Sequence, residues 1–163
     1  MNDAPTRRQK WLLRIGSIGP LGHAPASGTV AVAVAGIPLY LLMQRFLPVW
    51  AYVAVTTVFA LVAVWVHGAG DRILGEKDSR KLVLDELAGF FVAMIGVPPT
   101  WPLVLGGFLL ERALDIVKVP PANWIERRWP GGWGVVGDDL VAGLYALIFL
   151  QAAIRWVPAW GGL

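Results

Sequence analysis

The sequence contains no cysteine, which excludes a disulfide framework, a thiolate metal site and a cysteine nucleophile. Histidine is scarce, with His23 and His67 the only two. A phosphohistidine mechanism needs a histidine with a positioned partner, and neither lies in such a motif. His23 is left outside the expected site, although its loop could bring it close, and His67 is read as an interfacial residue. Charge is thin as well: Asp, Glu, Lys and Arg make up 15% of the 163 residues, against roughly 25% in a typical soluble domain. From Ile15 to Gly70 the single charged residue is Arg45, and beyond Asp139 it is Arg155. No basic stripe interleaved with aromatics occurs, which argues against nucleic acid as a partner. There is no internal repeat or low-complexity tract, so one domain covering 1–163 is expected.

What fills the chain is apolar. Hydrophobic residues account for 56%, nine of them tryptophan, and the mean hydropathy is +0.61. The expectation is an all-α integral membrane protein with about five apolar helices and its connecting loops on the cytoplasmic side. Two full spans are predicted at about 30–47 and 49–66, each close to the roughly 20 residues a bilayer crossing needs. Pro48 marks the turn between them, and Trp50 and Tyr52 beside it suit the interfacial aromatic belt. A polar loop is expected over 67–81. The apolar run Leu87 to Leu110 is broken by Pro98-Pro99-Thr100-Trp101-Pro102. Three prolines in five residues disfavour a continuous helix, so a helical hairpin is predicted rather than one kinked span. A last span is predicted over about 140–157, with Trp156 and Trp160 at its far interface.

The N-terminus imitates a secretory signal, with Arg7-Arg8-Gln9-Lys10, an apolar stretch and Ala24-Pro25-Ala26. Arg14, Gly16, Gly19 and Pro20 interrupt the apolar core of about 7–15 residues that a signal requires. No cleavage is expected, and residues 1–15 are read as a basic cytoplasmic segment. Two hairpins and a last span starting from that side place twelve of the fourteen Lys and Arg on the cytoplasmic face, as the positive-inside rule requires.

The same topology gathers acid. Six of the eleven acidic residues form three pairs at the edges of apolar segments: Asp85 with Glu86, Glu111 with Asp115, and Asp138 with Asp139. As a hairpin, the broken run puts all three pairs on one side. Glu111, Asp115 and Lys118 are spaced to share a helix face, with Arg112 beside Asp115. Asp85-Glu86 and Asp138-Asp139 are read as opening their helices, where single carboxylates often act as caps. Six carboxylates exceed what capping explains, and a hard divalent cation such as Mg2+ is the simplest agent that gathers them. Gly89 and Gly143, each four residues past an aspartate, allow close helix approach. The Gly/Ser/Pro-rich loop 16–29 can cradle phosphate at a helix start or be a plain linker, with Ser27 or Thr29 as caps. Arg112 and Lys118 either clamp phosphate or simply balance Glu111 and Asp115.

The segments Asp85-Glu86-Leu87-Ala88-Gly89, Arg112 through Asp115 to Lys118, and Gly131-Gly132-Trp133-Gly134 through Asp138-Asp139 to Ala142-Gly143 resemble the motifs of the phosphatidylglycerophosphatase A family. Ala24-Pro25 with Ser27-Gly28-Thr29, and Lys77-Asp78, resemble two further family segments. The likeness covers roughly residues 16–150. Glu111 stands where the family has Phe, and Val119 where it has Pro. The resemblance implies Mg2+-dependent removal of the terminal phosphate of phosphatidylglycerol phosphate, a phospholipid substrate in the membrane. It also implies a location in the bacterial cytoplasmic (inner) membrane with the site facing the cytoplasm. The implied cation ligands are Asp85, Glu86, Asp115, Asp138 and Asp139. Asp85, Glu86 and Asp139 are the expected catalytic groups, and Lys118, Arg112 and Thr29 the substrate contacts. Two alternatives stand beside this reading: a phosphatase for another phosphorylated lipid, and a cation channel or transporter. Transport predicts ionisable groups near mid-membrane, whereas these lie at segment ends.

Overall fold

In the computed structural model, which describes residues 5–156, every regular element is helical. Helix α1, Arg7–Gly16, opens with a capping box: Gln9 N donates to Thr6 Oγ1, and Thr6 N donates to Gln9 Oε1, satisfying two of the first turn's orphan donors. Trp11 and Ile15 are exposed while Leu12 packs inward, so α1 is amphipathic. A 3-10 turn, Leu21–His23, then leads to α2, Ser27–Ala31. Helix α2, a π-helical turn at Val32–Gly36 and α3, Ile37–Phe46, form one 20-residue apolar helix. The π turn has a local cause. Pro38 cannot donate to the preceding turn and its ring crowds the carbonyl there, and widening the turn relieves both.

Helix α4 runs Val49–Leu74 and stops at Gly75, which adopts φ 72°, a left-handed cap glycine reaches without a Cβ penalty. The apolar run breaks as its prolines require: α5 is Leu84–Ala93, residues 94–100 are non-helical, and α6 is Trp101–Val117. A short helix α7, Ala122–Arg128, precedes α8, Gly132–Trp156, which packs on α4, α5, α6 and α7. Three helices are long and apolar enough to cross a membrane: Ser27–Phe46, Val49–Leu74 and Gly132–Trp156.

The early end of α5 leaves carbonyls in apolar surroundings, where an unpaired one is costly. Side chains from three helices meet them. Tyr52 Oη donates to Phe91 O (2.8 Å), Tyr40 Oη to Val97 O (2.7 Å) and Gln151 Nε2 to Ile95 O (2.9 Å). Around them lies the main core of Phe90, Phe91, Met94, Leu103, Val104 and Leu150.

Three expectations need correction. The loop over 67–81 is helical as far as Leu74, because α4 continues through His67. That extension carries His67 into the protein, where its side chain is fully buried. Tyr52 is buried too, its hydroxyl serving α5 instead of a headgroup, whereas Trp50 is exposed as expected. Finally, α8 begins at Gly132, not near Leu140, so Asp138 and Asp139 lie about two turns inside the helix and do not open it. Tertiary contact overrides the weak helix propensity of glycine here. A Cβ on Gly132 would collide with the Val64 carbonyl, so only glycine lets α8 start against α4. Val157 and Trp160 lie outside the described residues.

Candidate active site

The hairpin brings its two ends to one place. Carboxylate oxygens of Asp85, Glu86 and Asp139 all lie within 4.8 Å of one another, and so do those of Asp115, Asp138 and Asp139. Asp139 belongs to both groups, so the two are adjoining candidate cation positions. Asp85, Asp138 and Asp139 are buried, and Glu86 and Asp115 are partly so.

Backbone contact sets this spacing. Gly89 lies one turn beyond Asp85 on α5, and Gly143 one turn beyond Asp139 on α8. A Cβ on Gly143 would overlap the Gly89 carbonyl oxygen and lie 3.0 Å from its carbon. The two helices thus touch through glycine, and their carboxylates meet one turn away.

Capping does not account for the acids. The N-cap of α5 is Val83, with no side-chain hydrogen bond at the cap, and the aspartates of α8 are interior. Asp85 Oδ1 and Glu86 Oε2 are buried without a hydrogen-bond partner. Carboxylates so close together cannot all remain ionised without a compensating cation.

Two of the local cations, Arg112 and Lys118, are already committed. Arg112 donates through Nε and Nη2 to both oxygens of Glu111 (2.8 Å each), and its Nη1 lies 3.4 Å from Asp115 Oδ2. Lys118 Nζ reaches Asp138 Oδ2 at 2.7 Å and Glu126 Oε1 at 3.0 Å. Burial disfavours the Lys118 ammonium, but Asp138 and Glu126 outweigh it and raise its pKa above the ordinary lysine value. Arg112 thus lies beside Asp115 as the helical spacing predicts. Lys118 does not share the Glu111 face, because it is the left-handed C-cap of α6 (φ 51°) and turns toward α7 and α8. Six clustered carboxylates therefore face two paired cations, Arg112 and Lys118, with Glu126 drawing on one of them and Arg80 on the cavity wall. An all-oxygen donor set with unpartnered buried oxygens fits a hard divalent cation such as Mg2+.

Two adjoining cavities, sharing part of their lining, serve the cluster. One of about 360 Å3 is lined by Asp85, Glu86, Asp115, Lys118, Asp138 and Asp139. The other, about 620 Å3, is lined by His23, Thr29, Arg80, Lys81, Glu86 and Arg112. Thr29 and His23 thus reach the site's edge through the second cavity. Ala26, in the left-handed region at φ 50°, is the N-cap of α2, so neither Ser27 nor Thr29 is the cap. Glu86 packs directly against Gly28 at that helix start.

Sequence reasoning missed three neighbours. His67 Nε2 lies 3.3 Å from Asp85 Oδ1, and Asp78 and Arg80 line the smaller cavity. The small residues Ala60, Ala63 and Gly70 mark the buried face of α4 on which His67 sits. That stripe was the available signal.

Residues 14–154 match the family described as phosphatidylglycerophosphatase A. The chain belongs to that family. Membership in the phosphatidylglycerophosphatase A family makes it a phosphoric monoester hydrolase, as the motif resemblance anticipates. Among its relatives, the phosphatidylglycerophosphatase A of Escherichia coli is 33% identical over 76% of this chain and 72% of its own length. That of Haemophilus influenzae is 29% identical over 90% of this chain and 89% of its own. A Bacteroides thetaiotaomicron protein with the provisional name phosphatidylinositol-3-phosphatase is 32% identical over 80% of this chain and 82% of its own. No solved structure matches the chain. The family match covers all three acidic pairs, both cations beside them and Thr29.

Proposed function

We propose that this chain hydrolyses the terminal phosphomonoester of phosphatidylglycerol phosphate at the cytoplasmic face of a bacterial inner membrane, with Mg2+ as cofactor. One observation carries the reading: a buried acidic centre with unpartnered carboxylate oxygens opens into a cation-lined cavity at one end of an apolar helical bundle. Family membership supports the lipid phosphate.

Asp85, Glu86 and Asp139 would hold Mg2+ on one side of the centre, and Asp115, Asp138 and Asp139 on the other. Bound there, Mg2+ supplies Lewis-acid stabilisation of charge on the phosphoryl oxygens. Asp139 fixes the spacing of both groups. Glu86 lines both cavities and keeps a free oxygen, so it orients the attacking water and accepts its proton. A bond forms from the water oxygen to phosphorus, and the bond from phosphorus to the glycerol oxygen breaks. The proton passes to that leaving oxygen, giving phosphatidylglycerol and inorganic phosphate. The Arg112 edge on the larger cavity and Lys118 on the smaller offset negative phosphate charge, and the Thr29 hydroxyl binds the headgroup at the rim.

Depth is consistent with a lipid substrate. Exposed Trp65 lies two residues before His67, and exposed Trp133 five residues before Asp138, so the centre sits near the level where tryptophans gather at a membrane interface. No charged residue occurs from Leu87 to Leu110 or from Leu140 to Ile154, which disfavours an ion path through the bundle. The name of the Bacteroides relative keeps a second lipid substrate in view.

Phosphate release by the purified protein tests this reading. Release from phosphatidylglycerol phosphate should depend on Mg2+ and exceed release from phosphatidic acid or phosphatidylinositol 3-phosphate. Absence of Mg2+-dependent release refutes it, and a faster rate on either other lipid reassigns the substrate.

A further inference from the structure

The two cavities adjoin and differ in their charged lining. The smaller is rich in carboxylates, the larger carries Arg80, Lys81, Arg112 and His23 with Glu86 as its single carboxylate, and they share Ser27, Arg80, Glu86 and Ile116. We propose that the larger cavity is a subsite for a phosphodiester, with Arg80 and Lys81 as its cationic contacts. This assignment rests on the phosphatidylglycerol phosphate reading above and selects substrates carrying a second phosphate.

The substrate's own chemistry matches the pair of cavities. Its headgroup carries a terminal phosphomonoester and, one glycerol unit away, a phosphodiester joined to the diacylglycerol. With the monoester in the acidic cavity among the cation ligands, the diester falls in the adjoining space. An anion there is held best by cations that do not already share their charge with carboxylates. Arg112 and Lys118 are bound to carboxylates. Arg80 and Lys81 form no ion pair among the described residues, and both side chains are exposed.

Their backbone is nonetheless held firmly. Ser27 Oγ donates to Arg80 O at 2.6 Å, Leu82 N to Ser79 O at 2.9 Å and Val83 N to Gly16 O at 2.9 Å. Gly22 packs so closely on the Lys81 carbonyl that a Cβ there would overlap it. Two unpaired cations on an anchored segment lose less freedom on binding an anion than cations on a mobile loop. The acyl chains have an exit as well. Ile116 lines both cavities and is 75% exposed, followed by Val117 at 72%, an apolar edge leading from the headgroup toward the bilayer.

Phosphatidic acid, whose single phosphate is a monoester on diacylglycerol, offers nothing for this subsite. The test is therefore a ratio: kcat/KM for phosphatidylglycerol phosphate divided by kcat/KM for phosphatidic acid, measured on the full chain in mixed micelles. In R80Q/K81Q the ratio should fall at least about 10-fold, the scale of losing charge-assisted hydrogen bonds. The charge-keeping variant R80K/K81R should retain most of it. Phosphatidylglycerol keeps the diester, so its inhibition of the wild type should weaken in R80Q/K81Q by a similar factor, read as a raised inhibition constant. A wild-type ratio in R80Q/K81Q, or an inhibition constant that does not move, overturns the subsite. Equal loss on both lipids also overturns it, since that marks a general effect on folding or on the acidic centre. If the wild type releases no phosphate from phosphatidylglycerol phosphate, it is the substrate reading that fails.

Discussion

Replacing Gly143 with alanine tests whether helix contact sets the acidic centre. The added Cβ would overlap the Gly89 carbonyl oxygen and sit 3.0 Å from the carbonyl carbon and 3.2 Å from Cα. All three are backbone atoms, so no side chain can rotate away and α8 must separate from α5. Asp139 lies one turn before Gly143, and Asp85 one turn before Gly89, so the shift opens their shared cation position directly. Overpacking of this kind costs about 1–3 kcal/mol of stability, and misplacing catalytic groups by on the order of 1 Å costs about 100-fold in rate. Phosphate release by Gly143→Ala should therefore fall about 100-fold, with a lower melting temperature in detergent. Gly106→Ala is the control, because a Cβ there meets nothing within 4 Å and alanine favours a helix by about 1 kcal/mol. Wild-type turnover in Gly143→Ala would refute the idea that this contact positions the carboxylates.

The ligand assignments make separate predictions. Asp139→Asn and Asp85→Asn should each lose at least about 100-fold in kcat, the scale of removing one preorganised electrostatic group; near-normal turnover in either would remove that residue from the site. His67, fully buried with Nε2 3.3 Å from Asp85, should orient that carboxylate. His67→Leu is then expected to raise the Mg2+ concentration needed for half-maximal activity by about 10-fold or more, as supporting contacts to ligands do, with kcat at saturating Mg2+ less affected. An unchanged Mg2+ requirement would make His67 a packing residue only. A topology reporter at Thr100, between α5 and α6, should read as extracytoplasmic or membrane-buried, and a cytoplasmic signal there would break the proposed orientation.

Apolar length and proline placement made most of the helices legible. Proline has no backbone N–H to donate, so three of them in 98–102 dictate a break wherever that run sits, and residues 94–100 are indeed non-helical. The pairing of Gly89 with Gly143 was legible for a related reason, since small residues one turn from charged ones have few other uses in an apolar helix. The start of α8 was not. Gly131-Gly132-Trp133-Gly134 has the local propensity of a loop, and only the nearness of the Val64 carbonyl makes it helical. The role of His67 was hidden because the apolar run ends near Val66 while the hydrogen-bonded helix continues to Leu74. The carboxylates were identifiable as a set from their number alone. Which cation each one meets was not, because Lys118 leaves its helix face through a left-handed residue that no spacing rule anticipates.

The charge count also links cofactor to fold. Asp85, Glu86 and Asp139 come from helices that pack through glycine, so their repulsion acts on the contact that assembles them. Without a cation this repulsion opposes closure of α5 on α8, and with one the same groups become cross-links between α5, α6 and α8. Binding and packing are then one equilibrium. A cation held at 100 times its dissociation constant adds about 2.7 kcal/mol to the native state. At about 2–4 °C per kcal/mol for a chain of this size, Mg2+ should raise the melting temperature by roughly 5–10 °C over protein in chelator. Asp139→Asn should abolish most of that shift, because it removes the one carboxylate common to both cation positions, whereas Gly106→Ala should keep it. Equal melting temperatures with and without Mg2+, in protein whose turnover Mg2+ stimulates, would mean that the cation arrives with the substrate and that the carboxylate cluster is held together by the helices alone.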